Sequence, residues 1–438
     1  MKKHYFNHLL WMGFIIFLIN AIAYVAPAKA ELEVPHIAKN SNELMPLAKA
    51  IQQALSANPG VLKKQAQMHA MQQIPAQQAA FPEPQLKLNV ANLPLDDFSL
   101  NQTPMTQLQI GISQLIPYPG KLQLRRQSAE LEAQAATARV QETKTQLIHW
   151  VSARWWQLLY LDKALVTVRR NHQLLQQLID VAQTKYAVGQ GLQQDVLLAQ
   201  VELSRLLDNE YQLDANRRIS SAQFNALLGR DTSIPVVLPS QVSEQLPTLT
   251  STERLILLAE QHRAELQSSH YQVQAAQRRI ALAKKDYYPD FRVGANYGWR
   301  DDLTDLVSVQ FSVNLPIYTD KRQAPAQDQR TYEWQSQKYA LEDLRNQIAE
   351  QITVKLAEFQ RAQQQAKLYQ RSIIPQASQT VDAMLAGYQV NKVDFLNVLR
   401  AQMTLLNYQT QYWQAISTAN QALAALNAVV GSEVTNNE

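Results

Sequence analysis

Residues 151–186 read VSARWWQLLYLDKALVTVRRNHQLLQQLIDVAQTKY, and the fold follows from their period. Val151, Leu158, Leu165, His172, Ile179 and Tyr186 fall seven apart. Arg154, Leu161, Val168, Leu175 and Ala182 fill the positions three further on. An apolar repeat of this kind, held this long, calls for partner helices and a supercoil. Working backward, the same helix extends to Lys121 without a Pro or Gly, giving 66 residues from Lys121 to Tyr186. At 1.5 Å per residue that is roughly 100 Å, far beyond an ordinary globular helix. Working forward, the chain turns at 187–194 and returns as a helix over Asp195–Leu228. Leu192, Ala199, Leu206, Leu213 and Leu227 keep the seven-residue register there. Arg154 and His172 break the seam. Gating or metal binding is one reading of them, tolerated polar seam positions the simpler one, because His and Met are scattered without metal-ligand spacing.

Ahead of the long helix, 31–43 is polar and extended, and a helix is expected over Glu43–Ala80, interrupted or kinked at Pro59 and Pro75. The period then changes to two. Leu86, Leu88 and Val90 alternate with polar residues in Gln85–Leu93, as do Leu108, Ile110 and Ile112 in Thr106–Leu115, which predicts two strands with one apolar and one polar face. Ile116-Pro117-Tyr118-Pro119-Gly120 turns the chain into the helix. A linker over 230–250 carries Pro235, Pro239 and Pro247. The second half repeats the first: a helix over Glu253–Asp286, strands over Asp290–Trp299 and Leu306–Leu315, a long helix over Lys321–Tyr388 bent at Pro325 and Pro375, and a return helix over Asp394–Val430. Tyr186 matches Tyr388, Val188 matches Val390, Ala199-Gln200 matches Ala401-Gln402 and Gly229 matches Gly431, always at an offset of 202. Such self-similarity signals an internal duplication. The expected organisation is a signal peptide at 1–30, a first repeat at 31–229, a linker at 230–250, a second repeat at 251–431 and a tail at 432–438.

Composition narrows the class. In 438 residues Gly and Pro number only 11 and 18, which favours long helices. The formal charge is +4. Lys2 and Lys3 precede an apolar run from Leu9 to Val25, and Ala28-Lys29-Ala30 supplies small residues for cleavage, the layout of a secretory signal rather than a membrane anchor. Without Lys2, Lys3 and Lys29 the 41 basic residues fall to 38 against 37 acidic ones. No basic cluster points to nucleic acid. The absence of cysteine excludes disulfides, thiol catalysis and lipidation through a terminal Cys. No run after residue 30 is long and apolar enough for a transmembrane helix. No Ser/His/Asp grouping, phosphate loop or paired carboxylates support catalysis, so no enzyme activity and no cofactor is expected.

The strands carry the second deduction. Nine or ten tilted residues cross a bilayer, and dyad alternation suits lipid on one side and water on the other. Four strands cannot close a barrel, and open edges do not stand in lipid. Several copies must therefore pool their strands. The alternative is a small half-buried sheet in a soluble protein. Tyr287, Tyr288, Tyr297 and Trp299 suit an interfacial aromatic belt, with packing at the strand ends as the other reading. The connections 94–105 and 300–305 fall on one side, away from the helices.

At this point the residues resemble a family. Tyr186-x-x-Gly189, Asp195-Val196-Leu197-x-Ala199-Gln200 and Leu227-Leu228-Gly229 look like the TolC outer-membrane efflux family. The turn Gln114-Leu115-Ile116-Pro117-Tyr118-Pro119-Gly120-Lys121 is similar to its heavy-metal branch. The resemblance implies a mainly α fold with transmembrane β: duplicated helical hairpins form an α-barrel tunnel, and four strands per chain join a twelve-stranded β-barrel in a homotrimer. It implies an outer-membrane location with a long periplasmic extension, and as partners a periplasmic adaptor, a proton-driven inner-membrane pump of the resistance–nodulation–division type and outer-membrane lipid. Carried onto this chain, it makes Tyr186, Val188, Gly189, Tyr388, Val390 and Asn391 adaptor-docking tips. Asn391 replaces the usual Gly, and Asn tolerates the left-handed conformation. Tight αα turns are the plainer role of these residues. Carboxylates at a pore mouth select cations, so Asp195, Asp394, Asn397 and Arg400 become gate candidates. Asp195 matches the family's acidic position, whereas Asn397 and Arg400 depart from it. Opposite charges on Asp195 and Arg400 suggest an ion pair between adjacent tips. The function expected is a passive exit duct for heavy-metal ions or other small solutes. The alternatives are the outlet of a drug-efflux or type I secretion system, and a soluble coiled-coil scaffold.

Overall fold

The computed structural model describes residues 44–96, 98–100 and 103–434. The signal expected at 1–30 and the segment 31–43 lie outside them. The helix expected over 43–80 is two helices, α1 (Leu47–Ala57) and α2 (Pro59–Ala79). Pro59 disfavours the helical conformation at Asn58, which is extended at φ −69° and ψ 119°. The Asn58 side chain then caps α2 by accepting from the Gly60 and Val61 amides at 2.8 and 3.3 Å. Pro75 lies inside α2 without ending it. Strands β1 (Gln85–Ala91) and β2 (Gln107–Ile116) follow, then α3 (Lys121–Ala187, 67 residues) and the return helix α4 (Gln193–Leu227).

The second half has the same order: α5 (Thr252–His262), α6 (Ala264–Lys285), β3 (Phe291–Trp299), β4 (Leu306–Val313), α7 (Gln323–Leu368), α8 (Ile374–Gln389) and α9 (Phe395–Val430). Two details differ from the sequence reading. The helix expected over 253–286 breaks at Arg263, where no proline announces the break. The second long helix is divided by a π turn at Tyr369–Ile373, immediately before Pro375. Wider local winding absorbs the hydrogen bond that Pro375 cannot make. Pro325 sits in the first turn of α7, where a missing N–H leaves no bond unmade.

The duplication extends to the joints. Asn58 at the α1/α2 break donates from Nδ2 to the carbonyl of Leu227 at 2.9 Å. Arg263 at the α5/α6 break donates to the carbonyl of Ala428. Each return helix thus ends on the break in the other arm of its own repeat. Gly229 and Gly431 close those ends at φ +67° and +82°, pressed so near the carbonyls of Ala57 and His262 that a Cβ would lie 2.5 and 2.7 Å away. Left-handed backbone and close approach together require glycine there. Arg263 is buried, held by Glu142 and Glu265, each at 2.9 Å.

Helix α3 is the centre of the packing, touching α2, α4, α6 and α9. Its predicted seam is the buried one: Val151, Leu158, Leu161, Leu165, Val168, Leu175, Ile179 and Ala182 are all buried. Arg154 and His172 are half-buried within it. Among the described residues no group of three His, Asp or Glu side chains is placed to hold a metal ion. Beside His172, buried Asn171 accepts from Gln402 Nε2 of α9 at 2.7 Å. A satisfied polar pair in an apolar seam fixes which turns of the two helices face each other.

Candidate functional site

The four strands form one antiparallel sheet in the order β1-β2-β3-β4. Its register sorts the side chains into two faces, because a strand alternates and paired residues share a side. Leu88, Ile110, Tyr297 and Val307 stand across from one another, as do Leu86, Ile112, Ala295 and Val309. The opposite face carries Lys87, Asn89, Gln109, Gly111, Asn296, Ser308 and Gln310. The apolar face is uncovered: Leu88 is 74% exposed and Val309 80%. An apolar face of this extent left bare in water marks a surface made for lipid or a partner. Among the described residues β1 and β4 each have one edge without a strand neighbour. The two hairpin connections meet on the same side, where Arg300 donates to the carbonyl of Pro104 at 3.1 Å. Tyr297 and Trp299 stand on the apolar face, whereas Tyr288 belongs to the joint between sheet and helices.

That joint explains the Pro117–Lys121 turn. Tyr118 stacks on Tyr288 with ring centroids 4.6 Å apart. Its amide donates to Asp290 Oδ1 at 2.7 Å. Lys121, buried at the start of α3, reaches the same oxygen at 2.9 Å, the carbonyl of Tyr288 at 3.3 Å and Asp286 at 3.2 Å. Gly120 supplies the left-handed turn at φ +90°. The turn of the first repeat is thereby locked onto the helix–strand turn of the second, which assigns its Tyr and Lys to holding sheet and helices together.

At the far end of the helices the two tips are copies of each other. Gly189 and Asn391 both take left-handed φ, +74° and +56°. The amides of Gly189 and Asn391 donate to Tyr186 and Tyr388 carbonyls, and those of Gln190 and Lys392 to Lys185 and Gly387. Asn391 therefore keeps the turn that glycine makes in the first repeat. Val188, Val390 and Tyr186 are exposed, while Tyr388 is buried against Phe395. Val196, Ala199, Tyr388, Phe395, Val398 and Leu399 join Leu175, Ile179 and Ala182 in one apolar cluster that binds the tips together.

The charges at the tips depart from expectation. Within the chain Asp195 is not paired with Arg400, which is exposed on α9, and among the described residues no ion pair includes Arg400. Asp195 is half-buried instead, and burial, reinforced by like-charged Asp394, pushes its carboxyl above the ordinary range. Asp394 lies at the start of α9 and Asn397 is exposed one turn in. Tyr388 Oη is buried without a hydrogen-bond partner. Its ionisation is pushed up by burial and then by Asp195. The cation that does act here is Lys185, which the sequence reading passed over. Its Nζ donates to the Tyr388 carbonyl at 2.7 Å and Asn391 Oδ1 at 2.6 Å, and lies 4.4 Å from the Tyr388 ring centre. One tip thus clasps the other. The available signal was an asymmetry of the duplication, because Lys185 stands opposite Gly387 at the offset of 202.

Comparison with known proteins agrees with this architecture. Residues 50–230 and 255–432 match the family described as outer membrane efflux protein. The outer membrane protein TolC of Vibrio cholerae serotype O1 is 21% identical over 399 residues, 87% of this chain and 91% of the relative. The solved outer membrane protein VceC from Vibrio cholerae superposes with a TM-score of 0.74 at 19% identity, covering 89% of this chain and 96% of VceC. CusC superposes with a TM-score of 0.76 at 15% identity, over 93% of this chain and 99% of CusC. With two matched blocks that span most of the chain and divide at the linker, the chain belongs to the outer membrane efflux protein family, whose members are outer-membrane channels with a long periplasmic helical tunnel and not enzymes.

Proposed function

We propose that this chain is the passive exit duct of a tripartite efflux system. It assembles as a homotrimer, receives solute through a periplasmic adaptor, and depends for energy on a proton-driven inner-membrane pump. The observation that carries this reading is the pairing of an open four-stranded sheet, apolar on one whole face, with a 67-residue helix of roughly 100 Å. Three sheets complete a twelve-stranded barrel without edges. The helices below it line a tunnel. The tips, with Tyr186, Val188, Gly189, Tyr388, Val390 and Asn391, form the end presented to the adaptor. Asp195 and Asp394 are the acidic groups of the constriction, with Asn397 about one turn and Arg400 nearly two turns further along α9.

Heavy-metal ions are the proposed cargo, on the likeness of the Gln114–Lys121 turn. The engagement of Tyr118 and Lys121 in the joint gives those residues a duty independent of cargo, so the substrate is settled by phenotype. Deleting the gene is expected to lower tolerance to copper, silver, zinc, cobalt or cadmium. Unchanged metal tolerance with lowered tolerance to dyes or antibiotics overturns the metal reading in favour of a drug-efflux outlet. A folded monomer as the sole species in detergent overturns the trimer.

A further inference from the structure

Below the sheet four helices pack side by side in one layer, α2 against α3, α3 against α6 and α6 against α7. On one side of that layer all four contribute to a single hollow of about 560 Å³, from Gln78 of α2 across to Arg330 of α7. A second hollow, of about 490 Å³, is built by the same four helices further from the sheet. On α3 its residues Arg139, Glu142 and Thr143 stand 14 positions beyond Arg125, Ser128 and Ala129 of the first. Fourteen residues make nearly four turns, so the two hollows lie on one face, roughly 21 Å apart along the helix. Helices four abreast share a hollow only where their layer is concave, because on a convex side the ridges diverge. In the tunnel proposed above, the concave side of the layer is the bore.

The two hollows differ in charge. The further one carries Glu142, Glu265 and Asp343 against Lys64 and Arg139. The one beneath the sheet carries Arg125, Arg279 and Arg330 against Glu132 and Asp286. Both of its carboxylates are already engaged, Glu132 by Arg279 at 2.6 Å and Asp286 by buried Lys121 at 3.2 Å. Arg330 reaches Glu333 at 2.7 Å through Nη1 alone. Arg125 is half-buried, and among the described residues its guanidinium has no hydrogen-bond or ion-pair partner. A neighbouring hollow that shares Ala283, Asp286 and Ala326 adds the cation of Arg322. Guanidinium groups receive phosphate and carboxylate oxygens through paired N–H donors. Three of them line one hollow whose own carboxylates are taken.

We propose that the hollow at Arg125, Arg279 and Arg330 binds a small polyvalent oxyanion of the phosphate class, one site per chain, on the tunnel wall just below the sheet. Phosphate is met either free in water or on a lipid headgroup. The concave side of the layer faces water, which assigns the free anion. At this place an occupied site offers a passing cation a counter-charge, and an empty one opposes its passage. The site is complete within one chain, and only its placement in a bore rests on the function proposed above.

The probe is inorganic pyrophosphate, titrated calorimetrically at low salt into the full chain purified in detergent. One pyrophosphate is expected to bind per chain. Arg125→Gln is expected to weaken binding roughly tenfold, and Arg125→Gln with Arg330→Gln roughly a hundredfold, as the loss of charge-assisted hydrogen bonds requires. Arg139→Gln, in the acidic hollow on the same face, is the control and is expected to change binding by less than about twofold. Elution of the variants at the parent's size shows that the fold is kept. No heat of binding with the parent, or equal weakening by Arg139→Gln, overturns the site. Phospholipid that stays with the parent and is lost from the double variant in native mass spectrometry overturns the free anion and places lipid against this face. A chain that proves monomeric and still binds pyrophosphate keeps the site and overturns the tunnel.

Discussion

Lys185→Met tests whether the tips are held by a clasp. The substitution keeps the apolar stem and removes the ammonium group. What is lost is one hydrogen bond to the Tyr388 carbonyl at 2.7 Å, one to Asn391 Oδ1 at 2.6 Å, and the contact with the Tyr388 ring. A charged donor to a neutral acceptor contributes on the order of 1 kcal/mol where solvent competes, and a half-exposed cation over a ring about 0.5–1 kcal/mol. Because Lys185 is half-buried and the Asn391 side is open to water, the sum is about 2 kcal/mol per protomer. That corresponds to roughly a 30-fold shift in the local opening equilibrium. The amides of Asn391 and Lys392, bonded to the carbonyls of Tyr388 and Gly387, report it directly. Their hydrogen exchange is expected to speed up roughly 30-fold in Lys185→Met, while amides in the middle of α3 stay unchanged. In planar bilayers the same variant is expected to show a larger conductance. Exchange at 391 and 392 within about twofold of the parent refutes the clasp. Lys185 is then a surface residue, and the apolar cluster around Tyr388 alone holds the tips.

Two further outcomes follow from buried charge. Asp195 binds its proton more tightly in the packed tip than in water, so acidification through its raised range favours the packed form and rising pH weakens it. Conductance is expected to fall as pH drops through that range, and Asp195→Asn to abolish the dependence; an unchanged pH profile in Asp195→Asn removes Asp195 from the constriction. Lys121→Met leaves Asp290 without its buried partner and is expected to cost roughly 2–4 kcal/mol, read as a lower urea midpoint in detergent. Asp290→Asn in that background is expected to recover part of the loss.

The long-range plan was legible because it is periodic. The seam from Val151 to Ala182 buries as its spacing foretold, and the alternation in the strands places Leu86, Leu88, Val90, Leu108, Ile110, Ile112, Val307 and Val309 on one face. The left-handed backbone at Asn391 was also readable, from residue type and from its match to Gly189. What escaped was local and non-periodic. The break at Arg263 has no proline to announce it; its guanidinium there reaches the end of α9, Glu142 on α3 and Glu265 in the first turn of α6. Within the chain the Asp195–Arg400 pair is not made, because Arg400 lies six residues beyond Asp394, about one and two-thirds turns, on a different face of α9. Arg400 faces outward while Asp394 comes near Asp195. The Pro117–Lys121 turn was read by likeness as a mark of cargo. Its partners Tyr288 and Asp290 are about 170 residues away, a distance no window of sequence spans.

The clasp also bears on where the tunnel opens. In the proposed trimer the duplication sets two kinds of seam at the tips, one inside each protomer and one between protomers, which differ at two positions of the clasp. Inside the protomer Lys185 spans the seam. At the equivalent place facing the next copy stands Gly387, where a Cβ would lie 2.5 Å from Val393 Cγ2. The position is closed to a side chain as long as Val393 stays. The side-chain acceptor is missing as well, because the counterpart of Asn391 is Gly189, which has no side chain to offer. The seam between protomers therefore lacks the cation and the side-chain acceptor of the clasp, and it is expected to part before the one within. Building the missing half tests this. Val393→Ala makes room, and Gly387→Lys then places an ammonium where only the Tyr186 carbonyl of the neighbour can receive it. One bond of about 1 kcal/mol in each of three seams is expected to lower conductance relative to Val393→Ala alone. Conductance that is unchanged, or that rises, shows that the tips part along the internal seam despite Lys185.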